Sequence, residues 1–185
     1  MHFEKIKDLK TQFLISAPLL FLVGGLLHSC YAWSGNLPAV GLIAPVNESI
    51  FEHLKLCLLP VFLWWTLMYL LYHRRCSLFA AEWFFAALGA VVTAIAWVLF
   101  LYYTYTGIFG AHKLPADLLV FGAALVLGQW QGVRLYRRAC PVPLVLSLMA
   151  AALLWGLFSL WTFCPPDLPL FIDSTTGLAG LPVPV

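Results

Sequence analysis

The chain has 185 residues, of which 63% are hydrophobic and only 10% are charged. A soluble domain averages about 25% charged residues, so this composition is too poor in charge for a water-facing surface. Together with a mean hydropathy of +0.93, it predicts an integral membrane protein. The formal net charge of +2 excludes a strongly basic nucleic-acid-binding surface. The partners that we expect are membrane lipids, with no nucleic acid, and the oligomeric state stays open.

Five apolar runs are long enough to cross a bilayer, which takes about 20 residues each. Backbone in lipid must satisfy its own hydrogen bonds, so these runs are predicted to be helices. The fold class that we predict is an all-α integral membrane protein, a bundle of five transmembrane helices in a single domain over residues 1–185. The predicted spans are about residues 13–33, 51–72, 79–103, 116–135 and 142–163. In the fourth, Gly128 and Gly132 form a G-x-x-x-G pattern, which favours close helix packing.

The distribution of lysine and arginine predicts the orientation, because these residues collect on the cytoplasmic side of a membrane. With five spans, Lys55 and Lys113 fall on the side opposite the N-terminus. The remaining eight of the ten basic residues fall on the side of the N-terminus: Lys5, Lys7, Lys10, Arg74, Arg75, Arg134, Arg137 and Arg138. We therefore predict a protein of the cytoplasmic membrane with its N-terminus inside and its C-terminal tail outside.

The C-terminal tail, residues 164–185, is rich in proline and also rather apolar. Proline excludes a sixth helix here, and the apolar residues argue against a solvated, disordered tail. We expect the tail to fold back over the outer face of the bundle. Cys30 and Cys164 end the first and last spans at similar depth, so whether they pair as a disulfide is left open.

The stretch PVNESIFEHLKL, residues 45–56, brings ionisable side chains to the start of the second span. Asn47 or Ser49 can cap the helix, and Ser49 with Glu52 has the spacing of a capping box, in which Glu52 would bond back to the N–H of the cap. Lys55 has the wrong charge for a helix N-terminus. Since it follows Glu52 by three residues, we expect the two to form an ion pair.

Helix capping does not explain His53. Three of the five histidines and five of the eight acidic residues fall toward the predicted outer face, among them His112 and Asp117 between the third and fourth spans. Ionisable residues at membrane depth are energetically unfavourable and usually mark a functional site. We therefore predict an outward-facing polar site with His28, His53 and Asp173 as metal ligands and Glu48, Glu52 and Lys55 as catalytic groups.

The same stretch resembles the signature P-V-N-E-S-x-x-E-H-L-K of a family of small, uncharacterised multi-pass bacterial membrane proteins. Later pieces of that resemblance are the outer-loop sequence Tyr105-Thr106-Gly107 and the tail sequence Phe171-Ile172-Asp173. The resemblance covers most of the chain. It implies a shared fold and a shared polar site, and it brings no activity with it.

Three functions stay open on these residues. The sharpest is a metal-dependent hydrolase of a lipid or lipid-linked substrate, since histidine and carboxylate side chains suit zinc or another divalent metal, and a catalytic zinc needs three such ligands plus water. The second is an ion or small-solute transporter, in which Pro60 interrupts the second span and Glu52 binds a cation or proton. The third is a non-enzymatic assembly or partner protein, in which the polar cluster only ties loops together. The cofactor is likewise left open.

Overall fold

A computed structural model describes residues 2–139 and 142–181 of the chain. Within these ranges the secondary structure is helical, with two short 3-10 turns at Val40–Leu42 and Pro169–Phe171 and one isolated bridge between Ile172 and Ala179. The α-helices, in chain order, are α1 (His2–Trp33), α2 (Ile50–His53), α3 (Lys55–Cys76), α4 (Ala80–Phe109), α5 (Leu114–Arg137) and α6 (Leu144–Phe163).

The prediction of an all-α protein with five potential membrane-spanning helices is confirmed. The spans are Ile15–Trp33, Ile50–Cys76, Ala80–Phe109, Leu114–Arg137 and Leu144–Phe163, each long and apolar enough to cross a bilayer. Large apolar side chains are exposed along the outside of the bundle; Leu119, for example, is 75% exposed. Such a surface suits lipid and not water.

The second span is a single membrane-crossing unit in which Leu54 separates the short α2 from α3. We expected Pro60 to interrupt this span, and that expectation is wrong, because α3 runs through Pro60 to Cys76. Proline removes only its own backbone donor, so one helical hydrogen bond is lost, to the carbonyl of Leu56. That carbonyl faces α1 at Gly24, 3.6 Å from where a Cβ on Gly24 would lie.

The centre of the bundle is built around two fully buried tryptophans, Trp65 and Trp83. The indole N–H of Trp65 donates to Oε1 of Gln129 on α5 (2.9 Å), whereas the buried amide nitrogen of Gln129 has no hydrogen-bond partner among the described residues. Helix α5 approaches closely because Gly128 and Gly132 have no side chains. A Cβ on Gly128 would lie 2.7 Å from the carbonyl oxygen of Ala90 on α4.

The tail, described as far as Leu181, packs on the end of the bundle where α1 finishes and α2 begins. Phe171 packs on Phe51 with ring centroids 4.4 Å apart and the rings tilted by 36°, and Leu181 contacts a small apolar cluster of loop and α1 residues. Cys30 and Cys164, whose pairing was open, are both free thiols. The tail is therefore held to this end of the bundle by packing and by the hydrogen bonds described below.

Candidate functional site

The start of α2 is fixed by the two residues expected to cap it. The hydroxyl oxygen of Ser49 accepts the backbone N–H of Glu52 (3.3 Å). The expected return bond from Glu52 to the N–H of Ser49 is wrong, because the side-chain oxygen of Asn47 accepts that N–H instead (2.9 Å). The amide nitrogen of Asn47 donates to the carbonyl of Gly180 (2.8 Å), so the cap also anchors the tail.

Glu52 and Lys55 form a buried ion pair, as expected from their spacing: Nζ of Lys55 lies 2.6 Å from Oε2 of Glu52. Each residue is only 1% exposed. A buried pair is tolerable only when its other hydrogen-bonding positions are filled, and here they are. The further partners are the carbonyls of Gly41 and Ala44 for Lys55, and the N–H of Val46 and hydroxyl of Thr162 for Glu52.

This pair therefore ties the loop before α2, the start of α3 and the end of α6 to one another. We expected Glu52 to face a polar cavity beside Glu48 and His53. The structure places it elsewhere, because its two oxygens are taken up by Lys55, Val46 and Thr162. The catalytic roles expected for Glu52 and Lys55 stay predictions, and what the geometry displays is a structural connection.

His28, Glu48 and His53 form a second group, in which three segments of the chain meet. His28 comes from the last turns of α1, Glu48 from the loop and His53 from α2. The Nε2 atoms of the two histidines lie 3.0 Å apart. Glu48 places Oε1 3.6 Å from Nε2 of His28 and Oε2 3.4 Å from Nε2 of His53. The hydrogen bond with His53 lowers the pKa of Glu48, so this carboxyl is charged at neutral pH.

The hydrogen bond at Nδ1 makes Nε2 the nitrogen of His53 that could bind a metal ion. Its Nδ1 lies 2.8 Å from the carbonyl oxygen of Ser49, and a carbonyl can only accept, so Nδ1 carries the hydrogen. In the protonated ring Nε2–H can donate to Glu48, and loss of that proton leaves a lone pair on Nε2 with which His53 could bind a metal ion. Metal-binding histidines commonly have their second ring nitrogen held by a backbone carbonyl in this way.

The spacing of the three ligand atoms fits a small divalent ion. Zinc lies about 2.0–2.1 Å from nitrogen or oxygen ligands in a tetrahedral site, which puts neighbouring ligand atoms about 3.3 Å apart. The two histidine nitrogens lie 3.0 Å apart, and they lie 3.6 and 3.4 Å from different oxygens of Glu48. With one oxygen of Glu48 as the third ligand, the three ligand atoms lie within 4.8 Å of one another, so modest side-chain adjustment would bring them to zinc spacing. In the described part of the chain, the potential metal-ligand side chains that come together are His28, Glu48 and His53. Three ligands leave one position of a tetrahedral site free.

Asp173, expected as a third metal ligand, lies behind this group and not in it. Its Oδ2 accepts the backbone N–H of Glu48 (3.2 Å), and its Oδ1 accepts from the backbone and hydroxyl of Thr175 and from the N–H of Thr176. Burial would raise the pKa of Asp173, but these hydrogen bonds outweigh it and lower the pKa to about 2. Asp173 thus fixes the backbone that carries Glu48.

The His28, Glu48 and His53 group opens into a cavity of about 550 Å³, within the size range of small-ligand sites. Its polar end carries this group and two tail hydroxyls. Its deeper walls are apolar and come from α1, α3, α4 and α5, with Phe21, Leu56, Val98 and Phe121. Phe21 lies seven positions before His28 on α1, so the cavity extends about 10 Å along that helix.

Two further polar residues, His112 and Asp117, line the same cavity, and Tyr105 lies beside Asp117. The hydroxyl of Tyr105 donates to Oδ1 of Asp117. Nδ1 of His112 lies 3.8 Å from Oδ2 of the same carboxyl, and His112 and Asp117 both face the cavity. The sequence marked His112 and Asp117 only as ionisable residues of the outer side. It carried no signal that Tyr105 binds Asp117, since a tyrosine at a helix end is ordinary in a membrane protein.

The fold is a helical bundle with five helices long and apolar enough to cross a membrane, and its site is a His/Glu/His group that could hold a metal ion. Comparison with known families shows that the chain belongs to a family of unknown function, DUF6512, which matches residues 1–181. No curated protein and no solved structure matches the chain significantly. A family of multi-pass proteins was expected from the resemblance at residues 45–55; the signature itself and the bacterial origin stay predictions.

Proposed function

We propose that this protein is a metal-dependent membrane hydrolase that acts on a lipid or lipid-linked substrate. The observation that carries the proposal is the placement of three ligand side chains, with one ligand atom from each within 4.8 Å of the others, at the polar end of a cavity with apolar walls. An amphiphile is the type of molecule that fits such a cavity. Its hydrolysable polar part would lie at the histidines, and its apolar part would lie against Phe21 and Phe121.

The residues of the site would have separate roles in such an enzyme, as metal ligands, as positioning residues and as apolar walls. His28, Glu48 and His53 would hold the ion, zinc or another divalent metal, which supplies Lewis acidity and lowers the pKa of a water in the free fourth position. Asp173 holds the backbone of Glu48, and Ser49 holds the ring of His53. The apolar walls exclude bulk water and so strengthen the electrostatic interactions of the site.

The side of the membrane is also part of this proposal. We infer that the cavity opens on the outer face of the cytoplasmic membrane, with the N-terminus inside. The support is the split of the basic residues, since eight of ten lie on the side of the N-terminus when the chain crosses five times. An outward-facing site would meet lipids or lipid-linked molecules of the outer leaflet.

Metal analysis tests the proposal most directly. Protein purified in detergent without added chelator should contain about one equivalent of divalent metal, measured by inductively coupled plasma mass spectrometry. His28→Ala and His53→Ala should each lose most of it. His73→Ala is the matched control, because its ring lies near the C-terminal end of α3, away from the cavity, where it contacts Tyr69.

Hydrolysis should follow the metal. Long-chain fluorogenic esters, amides and phosphodiesters in mixed micelles form a suitable substrate panel. Cleavage of at least one of them should stop on treatment with EDTA and return on addition of zinc. Protein that holds no metal after reconstitution with zinc, manganese and cobalt in turn would show that the three side chains only join α1, the loop and α2, as in the assembly-protein alternative.

A further inference from the structure

The carboxylate of Asp117 lies in the cavity apart from the proposed metal ligands. Among the described residues that line this cavity, none is a lysine or arginine that could balance it. The two lining carboxyls are those of Glu48 and Asp117. The carboxylate oxygens of Glu48 face the two histidines, 3.6 Å from Nε2 of His28 and 3.4 Å from Nε2 of His53. Asp117 is therefore the lining carboxylate that a ligand would meet outside the metal group.

The surroundings of Asp117 hold it in place without neutralising it fully. The Tyr105 hydroxyl fixes Oδ1 through a hydrogen bond. His112, the other partner, is largely exposed and sits 3.8 Å from Oδ2, beyond hydrogen-bonding distance. The Oδ2 oxygen thus keeps room for a donor from a ligand. Helix capping explains a carboxylate in the first turn of α5, but it does not explain why the side chain lines the cavity.

From this geometry we propose that the cavity binds an amphiphile with a positively charged amino group, which pairs with Asp117 while the chain lies against the apolar walls. The apolar surface is supplied by α1, α3, α4 and α5, and it includes Phe21 of α1 and Phe121 of α5. Asp117 would repel an anionic head, and no lysine or arginine among the described lining residues would offset the repulsion. This inference deepens the proposed function and rests on it for the reaction, since it names the substrate class of the same cavity.

The test uses binding and not turnover. The probes are a twelve-carbon primary amine that carries a diazirine and an alkyne, and the alcohol and carboxylic acid with the same chain. The protein is held in phosphatidylcholine nanodiscs with EDTA, and sites of photolabelling are mapped by mass spectrometry. Because the probes cannot be hydrolysed and no metal is present, absence of hydrolase activity leaves this test intact.

We expect the amine to label peptides of α1 and α5 about fivefold more than the alcohol does, because one partly buried charge pair contributes about 1 kcal/mol. The carboxylic acid should label them least. Asp117→Asn, which can still accept the Tyr105 hydroxyl, should bring the ratio of amine to alcohol below about twofold. Equal labelling by amine and alcohol in the unaltered protein, or a ratio that Asp117→Asn leaves unchanged, would overturn the proposal.

Two glycine variants locate the binding. A Cβ on Gly25, which lines the cavity, would meet no atom within 4 Å. Gly25→Leu should therefore fill part of the cavity without disturbing the fold, and it should remove most labelling by the amine and the alcohol alike. Gly156 on α6 also has no atom within 4 Å of an added Cβ and is not a lining residue, so Gly156→Leu is the matched control. Labelling that survives Gly25→Leu at full strength would place the ligand outside the cavity.

Discussion

The carboxylate of Asp173 accepts a hydrogen bond from the backbone N–H of Glu48, at 3.2 Å, across 125 positions of the chain. The hydroxyl of Ser174 lies 3.4 Å from the carbonyl of Glu48, so the tail contacts this residue from both sides of its backbone. The side chain of Glu48 is directed at the two histidines. The last segment of the chain thus positions a proposed metal ligand.

The first prediction follows from that contact. Asp173→Asn should weaken zinc binding about tenfold without unfolding the protein, because residues that orient a ligand typically change affinity by 10–100-fold. Titration against a chelating dye of known affinity measures the effect. Asp167→Asn, an exposed residue of the same tail, is the control and should bind as the unaltered protein does. Full loss of metal in Asp173→Asn would instead make Asp173 a ligand itself.

A second prediction concerns acid. The folded protein lowers the pKa of Asp173 from 3.8 to about 2, so the charged carboxylate contributes stability that is fully present above the unfolded value. That contribution, at most about 2 kcal/mol, is lost as the pH falls from about 4 toward 2. Pepsin should therefore leave the tail intact at pH 4 and cut it at pH 2. In Asp173→Asn it should cut at both, and identical digestion of the two proteins would contradict the assignment.

Removing one charge of the buried pair should destabilise the protein. Glu52→Gln leaves Lys55 with an uncompensated charge, which costs about 3–5 kcal/mol in other proteins, so the melting temperature should fall strongly. The double variant Glu52→Gln with Lys55→Met should recover much of the loss. Differential scanning fluorimetry in detergent measures both. Normal stability with loss of activity in Glu52→Gln would return Glu52 to the catalytic role that the sequence suggested.

Close packing of α4 on α5 yields a fourth prediction. In Gly128→Ala the new methyl group would lie 2.7 Å from the carbonyl of Ala90 and 2.9 Å from the Cβ of Ala94, and backbone cannot move aside cheaply. We expect a loss of about 1–3 kcal/mol, the usual range for overpacking, measured by thermal unfolding. Gly156→Ala, with open space around it, should change stability by less than about 0.5 kcal/mol. Equal melting temperatures for Gly128→Ala and Gly156→Ala would mean that α4 and α5 pack less closely than these distances indicate.

The orientation is tested by labelling single cysteines in intact cells with an impermeant maleimide. With the background cysteines replaced by serine, Gly35→Cys and Ala111→Cys should react from outside, because they lie in loops on the predicted outer side. Arg75→Cys and Arg138→Cys, at the other end of the bundle, should react only after lysis. The reverse pattern would place the cavity on the cytoplasmic side and leave its chemistry unchanged.

The class of protein was predictable from sequence because it depends on local quantities. Runs of about 20 apolar residues, such as 79–103, can be satisfied in lipid only by helices, whatever their neighbours are. The ion pair of Glu52 with Lys55 was predictable for the same reason, since residues three apart on a helix lie on one face. The grouping of His28 with His53 was expected only in a general way, from their shared side of the membrane.

Only the tertiary structure decided which ionisable residues meet. Glu48 and Glu52 are four residues apart in one stretch, yet one faces a cavity and the other is buried with Lys55. No feature of the local sequence predicts that these two glutamates have different surroundings. The difference comes from partners distant in the chain: Thr162 holds Glu52 and Asp173 holds the backbone of Glu48. A charged side chain is stable in a medium of low dielectric only where its hydrogen-bonding positions are filled. The partners that fill them are brought together only by folding.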